Sequence, residues 1–143
     1  MPDKKSIIHH CLYFTCNALA RQITRMAEEA FKPTGLSPSH AFLIMLVNDQ
    51  PGISQKELAA ALQLAPSTVT RFVDVLVHKE YVRRETDGKN TLIYSTTKGK
   101  ALEKPIAEAW NRLHDRYARI LGKEEGDRLA AELDQASRLV ERE

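Results

Sequence analysis

Leu64-Ala-Pro-Ser-Thr-Val-Thr-Arg-Phe-Val-Asp-Val-Leu-Val-His-Lys-Glu80 is the stretch that decides the fold. Its apolar residues Val69, Phe72, Val73, Leu76 and Val77 recur at i, i+3, i+4, i+7 and i+8, which places them on one side of a helix. The other side opens with Ser67, Thr68, Thr70 and Arg71: short hydroxyls and one guanidinium in the first turns. Pro66 suits the first helical position, where its missing N–H costs nothing. An apolar back and a small polar front at the N-terminus fit a DNA major groove. An ordinary amphipathic surface helix would share the same back, so the flanks have to decide.

Upstream, Ile53-Ser-Gln-Lys-Glu-Leu-Ala-Ala-Ala-Leu62 opens with the capping-box pair Ser54 and Glu57 and continues with Leu58, Ala59 and Leu62 on one face. A short turn at Gln63 and Leu64 then leads to the next helix, as in a helix-turn-helix. Downstream, β-prone runs around Tyr81–Glu85 and 91–95 flank Thr86-Asp-Gly-Lys-Asn90. Asp-Gly between such runs is a strong hairpin signal, and Lys89 falls near the tip. Helix-turn-helix plus a basic hairpin makes a winged helix.

These pieces, in this order, resemble the MarR family of bacterial transcriptional regulators. The likeness runs from Leu36 to Leu102 and more weakly toward both ends. It rests on G-L-S-P-S-H-A-F-L at 35–43, I-S-Q-K-E-L-A at 53–59, P-S-T-V-T-R-F-V-D-V-L at 66–76, D-G-K at 87–89 and T-T-K-G at 96–99. The family's wing is usually D-x-R followed by an L-T-x-x-G ending. Here Lys89 stands for the arginine and Ser95 for the leucine, and the run from Arg84 to Asp87 is short.

The expected fold is therefore mainly α with a small β-wing, as one domain over residues 1–143. A winged helix-turn-helix lobe over about 36–100 is flanked by N- and C-terminal dimerisation helices, over about 6–31 and 98–143. The first helix is expected from about Ser6 to Phe31, with Ile8, Leu12, Thr15, Leu19, Ile23, Met26 and Ala30 as its stripe. Ser37 and Pro38 should start a second helix with Phe42, Leu43, Leu46 and Val47 inward. Ile53 can add a short strand to the wing. Thr97 is a plausible cap for a fifth helix from Lys98 to about Leu121, bent or broken at Pro105. A last helix from about Lys123 to Val140 carries Leu129, Leu133, Ala136 and Val140. The terminal stripes need cover, which a second copy supplies. The resemblance implies the same homodimer, and two recognition helices then match half-sites of a pseudo-palindromic operator in double-stranded DNA.

Length, at 143 residues, allows one real core. Two cysteines, Cys11 and Cys16, do not staple a secreted fold, so a reducing cytoplasm is expected. No signal peptide or membrane-length run is visible. Between Ile53 and Lys100 eight basic residues stand against five acidic; after Lys100 eight stand against ten. A basic middle on a mildly acidic remainder fits a DNA-binding lobe. Signatures of serine hydrolases, P-loop enzymes and zinc proteases are absent, so no enzyme activity and no cofactor are expected. His9, His10, Cys11 and Cys16 lack metal-ligand spacing, and they read as solvated histidines and buried thiols; a metal-responsive repressor is a minor alternative.

For the DNA face, Ser67, Thr68, Thr70 and Arg71 are expected to meet base edges. Arg71 either forks onto a guanine, pairs with Asp74, or holds a phosphate. Lys89 should reach the minor groove or flanking backbone. Gln55, Lys56, Arg84 and Lys98 are phosphate-contact candidates or solvated side chains. The resemblance implies a small-molecule effector acting where dimer helices meet the winged lobes, around the first helix, His40 and Trp110. Cys16-Asn-Ala-Leu-Ala-Arg21 also resembles the C-F-A-L-Y segment of the family's peroxide-sensing subgroup. The subgroup's paired tyrosines appear here as Pro38 and Ala41, so a buried, unreactive Cys16 is favoured over a thiol sensor. A winged helix that binds protein and not DNA is the other alternative.

Overall fold

The computed structural model describes residues 3–143. Two compact units emerge: the chain up to Ala30 together with Asn111–Glu143, and the continuous segment Phe31–Trp110.

The continuous segment is the winged lobe. Helix α3 (Pro38–Asp49) starts where Ser37 Oγ accepts from the His40 N–H and Pro38 takes the first position. Its buried side chains are Ala41, Leu43, Ile44 and Val47. Phe42 and Leu46, expected inward, are half-buried. The helix is apolar on most sides, so its periodicity points weakly. Strand β1 (Ile53–Ser54) leads into α4 (Gln55–Leu62), capped by Ser54 Oγ accepting from the Glu57 N–H at 3.0 Å. Gln63, at φ 54°, turns the chain into α5 (Pro66–His78), which buries Val69, Val73 and Leu76.

Strands β2 (Val82–Asp87) and β3 (Asn90–Ser95) make the hairpin, and the antiparallel sheet runs β1-β3-β2. Asp87 pairs with Asn90, so the loop is only Gly88 and Lys89, with the positive φ of 61° on Gly88. Both strands run further toward the tip than their composition suggests. Ile53, Val82 and Ile93 form the sheet's buried face.

The expected fifth helix is two helices, α6 (Thr97–Lys100) and α7 (Glu103–Leu121). Its cap is Thr96, not Thr97: Thr96 Oγ1 accepts from the Gly99 N–H at 3.1 Å. The break at Ala101–Leu102 precedes Pro105, which becomes the third residue of α7. There a missing N–H leaves no intrahelical bond unmade. Gly99 is required by closeness: a Cβ there would lie 2.1 Å from the Tyr81 carbonyl oxygen. Ser95, where the family favours leucine, is buried and donates to Asn48 Oδ1 at 2.5 Å, while Asn48 Nδ2 donates to the Gly99 carbonyl at 3.2 Å. The polar substitution is thus matched by a polar partner.

In the other unit the first helix is also broken. Helix α1 (Lys4–His9) starts on an Asp3 cap and ends at His10, whose Nδ1 lies 2.8 Å from the Ser6 carbonyl oxygen. Helix α2 (Leu12–Phe31) follows. Its second half carries the buried side, with Ala27 and Ala30. Arg112 Nη2 donates to the Ala30 carbonyl at 2.8 Å, and Arg116 pairs with Glu29, which tie α7 to α2. Gly122 starts α8 (Lys123–Glu141), joined to α7 by His114 Nε2 against Asp127 Oδ1 at 2.8 Å. Gly126 lets the Tyr117 ring approach; a Cβ would meet it at 3.3 Å.

Candidate nucleic-acid interface

The start of α5 presents what a groove can use. Ser67, Thr70 and Arg71 are exposed and Thr68 is half-buried. Arg71 Nη2 lies 3.4 Å from Thr68 Oγ1, a long contact that leans the guanidinium toward the N-terminal turn. Asp74, which could have paired with Arg71 one turn on, instead receives Arg84 Nη2 at 2.5 Å. Lys89 is exposed at the hairpin tip and Lys56 on the first turn of α4.

The remaining candidates have partners inside the lobe. Arg84 Nε donates to Gln55 Oε1 at 3.0 Å, and its Nη2 also donates to the Thr70 carbonyl at 3.2 Å. Gln55 Nε2 donates to Thr70 Oγ1 at 3.3 Å. Lys98 Nζ donates to the Lys79 carbonyl at 2.9 Å and sits 4.6 Å from the Tyr81 ring centre. It thereby covers the C-terminal end of α5, where a cation is favoured. On the solvent side of the hairpin, Arg83 pairs with Glu85 and lies 4.6 Å over Tyr94. Sequence reasoning missed the partner of Asp74, because a contact ten residues away depends on strand register and not on helical spacing.

The residues considered for an effector fall in different places. His40, half-buried on α3, packs edge-on against Phe72 of α5 with ring centres 4.6 Å apart. Burial, and then the Lys79 ammonium, hold its pKa below the usual 6.5. Trp110 is partly exposed on α7. A cavity of about 390 Å³ in the lobe is lined by Met45, Leu46, Asn48, Asp49, Glu103, Ile106 and Ala107, and includes neither His40 nor Trp110. Cys16 lies on α2 in the other unit. It was expected to be buried, and it is exposed, as Leu12, Tyr13 and Phe14 beside it are; Cys11 is half-buried. The first half of α2 finds little cover within its own unit, which leaves the thiol open too. Among the described residues no group of three His, Cys, Asp or Glu side chains could hold a metal ion.

Residues 36–91 match the model of the MarR family. The match covers the helix-turn-helix and the start of the hairpin, less than half of the chain. Solved structures extend the likeness to almost the whole chain. The transcriptional repressor CouR bound to p-coumaroyl-CoA is 20% identical, with 96% of this chain and 99% of that chain covered at a TM-score of 0.84. CouR bound to a 23-mer DNA duplex gives 20% identity, the same coverage of 96% and 99%, and a TM-score of 0.82. The Staphylococcus aureus MepR–DNA complex gives 18%, 91% and 98%, and 0.77. At such identities these structures establish a shared fold. No curated protein sequence matches the chain. Among the described residues no helix is long and apolar enough to cross a membrane.

Proposed function

We propose that the chain is a dimeric, DNA-binding transcriptional regulator: a cytoplasmic repressor, without enzymatic activity, released from its operator by a small-molecule effector. The observation that carries this reading is the exposed Ser67 and Arg71 flanking half-buried Thr68 at the N-terminus of α5, in a lobe that matches the MarR family model and carries a lysine-tipped hairpin. Ser67, Thr68 and Arg71 read base edges. Lys89 and Lys56 neutralise phosphates. CouR, a repressor with the same fold, was solved both with a DNA duplex and with an acyl-CoA thioester, which supports a DNA partner and an organic effector here. His40, Trp110 and Cys16 are the residues proposed to sense it. The terminal helices supply the homodimer, since Ile7, Leu12, Tyr13, Ile120, Leu139 and Val140 stand exposed in the single chain.

Selection of duplexes from a randomised library by the full-length protein tests the proposal. It should enrich two-fold-related half-sites about one helical turn apart, roughly 10 base pairs centre to centre. Binding with no enriched sequence would contradict it.

A further inference from the structure

Side chains alternate along a strand, and Arg84 shares its face of β2 with buried Val82, while Arg83 and Glu85 point outward. The guanidinium therefore reaches back toward the helices. Three of its five N–H groups are engaged: Nε with Gln55 Oε1, and Nη2 with both the Thr70 carbonyl and Asp74 Oδ1. Thr70 is committed as well. Its single hydroxyl proton goes to the Pro66 carbonyl at 3.1 Å, and one lone pair takes the Gln55 amide N–H at 3.3 Å. It is left with no proton to donate to a base. Gln55 uses both ends of its amide, one on α5 and one on β2.

We propose that Gln55, Thr70 and Arg84 form a clamp that fixes the recognition helix α5 against the wing, so that they govern DNA affinity by positioning and not by touching DNA. The inference rests on the DNA-binding reading and narrows it, leaving base contact to Ser67, Thr68 and Arg71. Recognition helix and wing must enter neighbouring parts of the duplex together, and a loose angle between them lowers affinity at every base equally. The planar fork of arginine makes this three-way junction; an ammonium could not hold the same geometry.

The test uses the full-length protein and a duplex selected by it from a randomised library, with anisotropy titrations over a salt series. Gln55→Met, which keeps length and stem, and Arg84→Gln should each weaken binding about tenfold. Base preference and salt slope should not change. The double variant should bind no more weakly than Arg84→Gln alone, because both break one junction. Arg84→Lys should fail to restore affinity. The clamp is overturned if Arg84→Gln makes the salt slope shallower by about 0.9, the signature of one lost phosphate contact, with Arg84→Lys restoring it. Additive losses in the double variant would overturn it too. Should Arg84→Gln not fold, the half-exposed Gln55→Met and a Thr70→Val partner carry the same cycle, coupled if clamped and additive if not. A wild type that selects no duplex would instead overturn the DNA-binding reading itself.

Discussion

The two units of this chain bury their apolar residues very differently. In the lobe, Phe31, Leu43, Ile44, Leu58, Val69, Val73, Leu76, Ile93 and Ile106 are shut away from solvent within one copy. In the helical unit several large apolar side chains lie open: Tyr13 is 79% exposed, Leu12 65%, Ile120 63% and Val140 67%. Burial of such side chains is worth about 1.5–3 kcal/mol each, so a surface of this kind gains much by meeting another. The lobe has a core of its own, whereas the helices carry half of one. In the proposed function this difference divides the work: the lobe would present its face to DNA, and the helical unit would pair two such faces.

Removing α8 should show the largest effect and would break the comparison if it did not. A chain ending at Gly122 loses Leu129 and Leu133 from the apolar groove that they line with Leu19, Ile23 and Tyr117. Light scattering should report monomer or aggregate, and duplex binding should fall by more than about a hundredfold as the second half-site is lost. A soluble dimer with wild-type binding would refute the assignment of roles.

A smaller effect should be confined to the lobe. Glu80 takes φ 65° just after α5, with its N–H bonded to the Val77 carbonyl and the Tyr81 N–H to the Leu76 carbonyl. A left-handed residue with a Cβ costs about 1–2 kcal/mol, and glycine returns part of this as unfolded-state entropy. Glu80→Gly should therefore stabilise by about 0.5–1 kcal/mol in urea unfolding, without changing the dimer's dissociation constant. A destabilised variant would show that the Glu80 side chain, not the backbone, matters there.

The smallest effect is pH dependence within the lobe. His40 in the folded chain binds its proton less readily than the ordinary 6.5 implies, first because burial and then because Lys79 disfavour the imidazolium. As pH falls through 6.5 the unfolded chain takes the proton first, so stability is full above that value and declines below it until the folded pKa is passed. His40→Gln should remove this contribution. Urea midpoints of wild type and variant whose difference stays constant with pH would count against it.

Much of the lobe is legible in the residues themselves. Ser54 and Glu57, Ser37 with Pro38, and Asp-Gly between two β-prone runs each announce an element locally, and both helix starts and the hairpin are found in place, the hairpin turning on Gly88 and Lys89. What is not local is not legible. The break at His10, whose side chain lies against the Ser6 carbonyl, has no signal in the helical spacing, and the cap at Thr96 competes with an equally suitable neighbour. Arg84 looks like any solvated basic residue until strand register turns it inward. Cys16 shows the reverse: a small apolar residue reads as buried, yet its surroundings in one chain leave it exposed.

The most direct test of the central claim, that the lobe reads DNA through α5 and the wing, is a salt-dependent titration of a selected duplex with wild type, Arg71→Ala and Lys89→Ala. Arg71→Ala should cost about 1–3 kcal/mol and relax preference at one base position. Lys89→Ala should weaken binding evenly and flatten the salt slope by about one ion. Affinity, preference and slope unchanged from wild type in both variants would contradict the account.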